Sequence, residues 1–149
     1  MHGRVHGRLG VLATVASLML LTACGSDKAE ATLSGSEEVP AVTTSATGNV
    51  TAELDGDELK VDGTFSGLSS DLAPVAGSAA HVHKAAKGVN GGILFNLNVT
   101  ANSDNRSGSF SATATLSEAD KDAFRDGQLY VNVHTTNNPG GEIRAQLEP

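Results

Sequence analysis

The chain has 149 residues, is 39% hydrophobic and 3% aromatic, and carries a formal charge of -7 with 17 glycines and no tryptophan. That length accommodates one ordinary domain plus a targeting segment rather than two full domains. The acidic balance argues against nucleic acid as the main partner, and the Gly, Ser, Thr, Asn and Val content argues against a coiled coil.

Residues 1–23 form the first unit. Arg4 and Arg8 give a basic start, Leu9 to Leu21 an apolar run, and Leu21-Thr22-Ala23-Cys24 closes it. The run is short for a bilayer span and reads as a secretory signal. Its ending resembles a bacterial lipobox, which implies lipidation of Cys24 and an exported protein anchored to the cell-envelope membrane. Several acyl chains, each CH₂ contributing ~0.8 kcal/mol, hold such a protein firmly. Residues 24–30 are expected to be the lipidated Cys and a flexible tether, and 31–149 a folded domain. Removal of Arg4 and Arg8 leaves eight basic against 17 acidic residues, and lipidation consumes the one thiol. The exported domain then has no disulfide and no thiol chemistry.

From Ala31 onward, short period-two stretches alternate with turn residues. A first strand is expected near Ala31 to Ser34. Val50 to Leu54 and Leu59 to Phe65 flank Asp55-Gly56-Asp57-Glu58 as a hairpin. The acids of that turn lack the later ligands of a calcium loop, so turn chemistry explains them. Ala79 to His83, Ile93 to Val99 and Ser109 to Leu116 read as further strands. Ile93, Phe95, Leu97 and Val99 share one face of the second, and Phe110, Ala112, Ala114 and Leu116 one face of the third. Ser117, with Asp120 after it, caps a short helix from Glu118 to Asp126 that ends at Gly127. Leu129 to Thr135 and Glu142 to Leu147 are the last strands. About eight strands and one helix predict an all-β antiparallel Greek-key sandwich or barrel.

Three histidines fall in the domain: His81, His83 and His134. His81 and His83 flank Val82, so both imidazoles leave one face of a strand. In Tyr130-Val131-Asn132-Val133-His134 the valines form the apolar face, which puts Tyr130, Asn132 and His134 opposite it. Ile143, Ala145 and Leu147 turn Glu142, Arg144 and Gln146 away from the core. Matching the apolar faces fixes the parity of the register but not the exact pairing; with Val133 opposite Ile143, Asn132 falls opposite Arg144 and His134 opposite Glu142. Two imidazoles at i and i+2 with a third from a neighbouring strand suit one metal ion, copper(II) ahead of zinc in the general affinity order. Glu142 is expected either to orient His134 or to serve as another ligand, and Tyr130 and Asn132 to position the site. The alternative is a set of ordinary surface histidines bonded to Glu142 and nearby carbonyls.

Nearly the whole domain, Thr32 to Leu147, resembles the CHRD family, named after chordin. The resemblance rests on Glu38-Val39-Pro40-Ala41-Val42 with Ala46-Thr47-Gly48, and on Ala80-His81-Val82-His83 with Gly88-Val89-Asn90-Gly91. It rests most specifically on Leu129 to Thr135 followed by Asn138-Pro139-Gly140-Gly141-Glu142-Ile143-Arg144. Ala85 and Ala145 depart from the family's usual glycine. The family implies an extracytoplasmic all-β domain. The order His81-Val82-His83, Val133-His134, then a Gly-rich loop before Arg144 also resembles copper–zinc superoxide dismutases. That resemblance implies copper ligands at His81, His83 and His134 and an anion guide at Arg144, without the bridging histidine or the zinc cluster.

Two functions follow as expectations. One is a membrane-tethered protein with a three-histidine copper site that holds copper or dismutates superoxide, with Lys84, Lys87 and Arg144 attracting the small anion. The other is a metal-free, non-catalytic module that binds proteins or glycans. No Gly-x-Ser-x-Gly elbow, phosphate loop or His-Glu-x-x-His helix points to other catalysis. Asn49, Asn98 and Asn105 begin glycosylation-like triplets that read as strand and loop polarity.

Overall fold

The structure is a computed structural model that describes residues 27–149. The expected signal segment and Cys24 lie outside the described residues. Nine antiparallel strands and one helix follow in the order β1 (Lys28–Ser34), β2 (Thr47–Asp55), β3 (Glu58–Ser66), β4 (Ala80–Lys84), β5 (Gly92–Asn96), β6 (Asn98–Ala101), β7 (Gly108–Thr115), α1 (Glu118–Arg125), β8 (Leu129–Val133) and β9 (Ile143–Leu147). They form one sheet in the order β5-β4-β8-β9-β1-β2-β3-β7-β6. The chain belongs to the all-β class, as expected.

Period-two patterning builds the sheet. Val50, Ala52 and Leu54 of β2 and Leu59, Val61 and Phe65 of β3 enter one continuous core, while their neighbours face water. The β2–β3 hairpin turns at Gly56-Asp57, where Gly56 takes φ 58°, a left-handed value that side chains resist. Asp57 pairs with Lys121 of α1, in keeping with a turn rather than a calcium loop. Ser117 caps α1, its hydroxyl accepting from the Asp120 amide. Phe124, on the inner face of the helix, plugs one end of the core.

Three expected boundaries move. First, β1 begins at Lys28, because Lys28 to Glu30 pair with Glu53 to Thr51; the tether expected over residues 24–30 overlaps the sheet. Second, the single strand expected from Ile93 to Val99 is two. β5 pairs with β4, the chain bends at Leu97, and β6 pairs with β7. The buried Leu97 donates its amide to Ala80 O, and Ser78 Oγ donates to Leu97 O. One segment thereby supplies both edges of the sheet and all but closes the barrel. Third, Ile93 does not share the core face with Leu97. A register shift between Val82 and His83 displaces the pairing, and Ile93 is exposed.

Candidate metal centre

Strands β4, β8 and β9 lie side by side and fix the site. The register pairs His81 with Asn132, His83 with Tyr130, Asn132 with Arg144 and Val133 with Ile143. The cross-strand matches expected for Val133 and Asn132 are therefore observed. Their apolar residues enter the core and their polar residues leave it, yet every residue of β8 and β9 is buried. The second cover comes from loops 35–46, 67–79, 85–91 and 134–142, which fold over the outer face.

His81, His83 and His134 meet beneath those loops, only 0%, 8% and 4% exposed. One nitrogen from each lies within 4.8 Å of the others. Ring centroids stand 4.8 Å apart for His81–His134 and 5.6 Å for His81–His83. The outer nitrogens define the tautomers. Nε2 of His81 is 2.8 Å from Val75 O, Nδ1 of His83 is 3.1 Å from Gly91 O, and Nδ1 of His134 is 2.9 Å from Pro139 O. A carbonyl only accepts, so each outer nitrogen must carry the proton. In the neutral rings the inner atoms, Nδ1 of His81 and Nε2 of His83 and His134, are then bare lone pairs.

Two of these lone pairs face each other. His81 Nδ1 and His134 Nε2 are 2.9 Å apart, and His83 Nε2 is buried without a partner. Only a cation between them, a proton or a metal, makes that approach favourable. Burial opposes the proton. It pushes His134 down to about 4 against the raising effect of the Pro139 bond, and holds His81 and His83 below the usual imidazole range. Three neutral imidazole nitrogens gathered this closely are a donor set that a divalent metal ion such as copper or zinc would take.

The surroundings differ from a plain surface patch. His83 stacks on Tyr130 at 4.8 Å between centroids, and the Arg144 guanidinium carbon lies 3.5 Å from the centroid of the Tyr130 ring. The Tyr130 hydroxyl accepts from the Gly91 amide, tying the ring to the loop whose carbonyl holds His83. Arg144 is 1% exposed and donates to Asn90 Oδ1, Val89 O and Gln146 Oε1. Expected as an anion guide, it sits under cover with its donors engaged. Lys84 pairs with Asp120, and Lys87 with Glu148 at the surface.

Glu142 lies in the loop beside the site, but it does not bond His134; Pro139 O takes that role. Its fully buried carboxylate accepts from Thr44 Oγ1 at 2.7 Å, the Ser69 amide at 2.8 Å and Ser69 Oγ at 2.9 Å. Thr135 Oγ1 at 2.8 Å and Asn138 Nδ2 at 3.3 Å complete the set. Burial works against the charge, but the Thr44, Ser69 and Thr135 bonds outweigh it and keep the carboxyl below its ordinary range. Glu142 thus clamps loops 35–46, 67–79 and 134–142 together. The cross-strand position opposite His134 suggested a ring partner; the loop hydroxyls are nearer.

Sequence reading missed Glu38. Its carboxyl is 6% exposed, and burial pushes it up to about 7 although Arg144 and Asn132 pull the other way. It packs against Gly141, which takes φ 127°; a methyl on that glycine would run into Glu38 Oε1 and the Asn132 amide. An acid within the Glu38-Val39-Pro40 motif was visible in the sequence, but nothing there brought it to β8.

Comparison with protein families places residues 29–147 in the CHRD domain model, and the chain belongs to that family. It matches no curated protein and no solved structure. Among the described residues, no helix is long and apolar enough to cross a membrane.

Proposed function

We propose that this CHRD-domain protein is an exported lipoprotein, anchored through Cys24, that holds one copper(II) ion on His81 Nδ1, His83 Nε2 and His134 Nε2. The observation that carries the metal reading is the convergence of three bare imidazole nitrogens, each with its proton directed to a loop carbonyl. Three neutral imidazoles suit copper, zinc or nickel; copper(II) is bound most tightly of these in the general order. The leader ending at Leu21-Thr22-Ala23-Cys24 supports the anchor.

Dismutation of superoxide by cycling copper(II) and copper(I) is a further step of the same reading. Arg144, Lys84 and Lys87, the cations expected to draw in an anion, all have partners. That observation favours holding or buffering the metal over anion turnover. Calorimetric titration of the purified protein with copper(II) tests the site. One ion per chain is expected, with binding lost when all three histidines become Ala and circular dichroism shows the fold retained. His83→Gln, which keeps a polar side chain, serves if the triple variant unfolds. Equal binding by wild type and variants refutes the site and leaves a metal-free recognition module. Superoxide turnover by the loaded protein would make it an enzyme rather than a carrier.

A further inference from the structure

Beside the three histidines lies a second set of unsatisfied groups. Among the described residues, three buried side-chain atoms lack any hydrogen-bond partner: Glu38 Oε1, Asn132 Oδ1 and His83 Nε2. Their residues are 6%, 3% and 8% exposed, so bulk water does not satisfy them. Buried polar atoms without partners are rare, because each pays its desolvation without return, and three in unrelated places would be a heavy burden. They are not in unrelated places. Asn132 pairs across the strands with His81 on one side and Arg144 on the other. Its side chain is near enough to both His83 and Glu38 to bias their charge, though neither approach has hydrogen-bond geometry. Glu38 Oε1 and Asn132 Nδ2 both crowd the bare Cα of Gly141. Asn132 therefore stands between the acid and the imidazole.

We propose that Glu38, Asn132 and His83 line one internal polar site that takes a single water-sized oxygen ligand, shared between the metal ion and the Glu38 and Asn132 side chains. The inference rests on the metal reading above and names what completes the ion's surroundings. Glu38 does not fall within the close histidine cluster, so it is not a fourth ligand as the structure stands. Asn132, two positions from Tyr130 on β8 and so on the same face as the His83 pair, meets Glu38 at Gly141 and links the acid to the histidine cluster. The orphan atoms suit such a guest: a carboxyl oxygen and an amide oxygen accept from a water, while its own oxygen faces the ion beside His83 Nε2. An anion entering this position must displace that water and meet the Glu38 carboxylate. Glu38 is thus a positioning residue that selects water over anions.

The test uses the copper(II)-loaded protein at pH 8.5, where carboxyl groups are ionised, with azide as probe anion. Pulsed electron paramagnetic resonance in D₂O is expected to show one exchangeable water on the copper of the wild type. Glu38→Ala is expected to tighten azide binding to the loaded protein at least tenfold, with any loss of copper(II) affinity staying below about a hundredfold. Glu38→Gln, which keeps the shape and removes the charge, is expected to lie between them and serves if the Ala variant does not fold. Equal azide affinity in wild type and both variants overturns the proposal while the copper titration still stands. Loss of copper binding by a factor of a hundred in Glu38→Gln also overturns it, because Glu38 would then be a ligand. Failure of the wild type to bind copper at all would instead remove the metal reading beneath it.

Discussion

Replacing Glu38 by Gln should change how the stability of the metal-free protein depends on pH. In the folded chain burial raises the Glu38 carboxyl from 4.5 to about 7. Between those values the folded state keeps a proton that the unfolded state has released, so stability falls as pH rises. At about 1.4 kcal/mol per pH unit, the loss on passing from pH 4.5 to above 7 approaches ~3 kcal/mol. The histidines have the opposite sign. His134, lowered from 6.5 to about 4, makes the unfolded state the proton acceptor as pH falls through that window. His81 and His83 act in the same direction. All three are present in wild type and variant, and so cancel in the difference. Urea denaturation with a chelator present, at pH values from 4.5 to 8, measures that difference. Glu38→Gln should gain ~3 kcal/mol relative to wild type across the range and level off above it. A difference that does not vary with pH would refute the burial of Glu38 as an unsatisfied acid.

Removing the Glu142 clamp should be costly. Glu142→Ala strands donors on Thr44, Ser69, Thr135 and Asn138, and breaking a buried charged network of this kind costs ~3–5 kcal/mol. A loss below ~1 kcal/mol by urea denaturation would show that the loops hold without it. The pH dependence of copper binding should also depart from that of free imidazole. Protons compete for the ligand nitrogens only where the rings take them up, and burial holds all three below the usual 6.5. Calorimetry should find affinity nearly level from pH 8 to 6.5 and falling only at lower pH. A decline centred on 6.5 would contradict the buried, neutral rings.

Alternation of apolar and polar residues carries most of the fold. It fixes which face of β4, β8 and β9 turns outward and the parity of the register, within which the structure pairs Asn132 with Arg144. Period two determines face but not cover, so the burial of Arg144 was not legible: its guanidinium finds partners at Asn90 and Val89, in a loop remote in sequence. The single strand expected over Ile93 to Val99 proved to be two for a related reason. The run from Ile93 to Val99 alternates without interruption, and only the closing of the barrel demands a bend within it. The histidines were legible because two sit on one strand and the third directly follows a strand whose register parity was constrained. Glu38 was not, because it reaches the site on a loop with no period at all.

The division of labour between strands and loops has a consequence for binding. Strand β4 and the first residue past β8 deliver three imidazoles to one place, but the strands leave each ring free to choose its tautomer. Loops 67–79, 85–91 and 134–142 make that choice, one carbonyl each, through Val75, Gly91 and Pro139. Were one loop to lift, its ring could move its proton inward and bond its neighbour, relieving the clash of lone pairs without any ion. Ordered loops and a cation-demanding cluster are therefore two descriptions of one state. An ion that binds this state alone holds all three loops down by mass action. Glu142, which ties two of those loops to the segment carrying Glu38, would thus act on an ion held there without touching it.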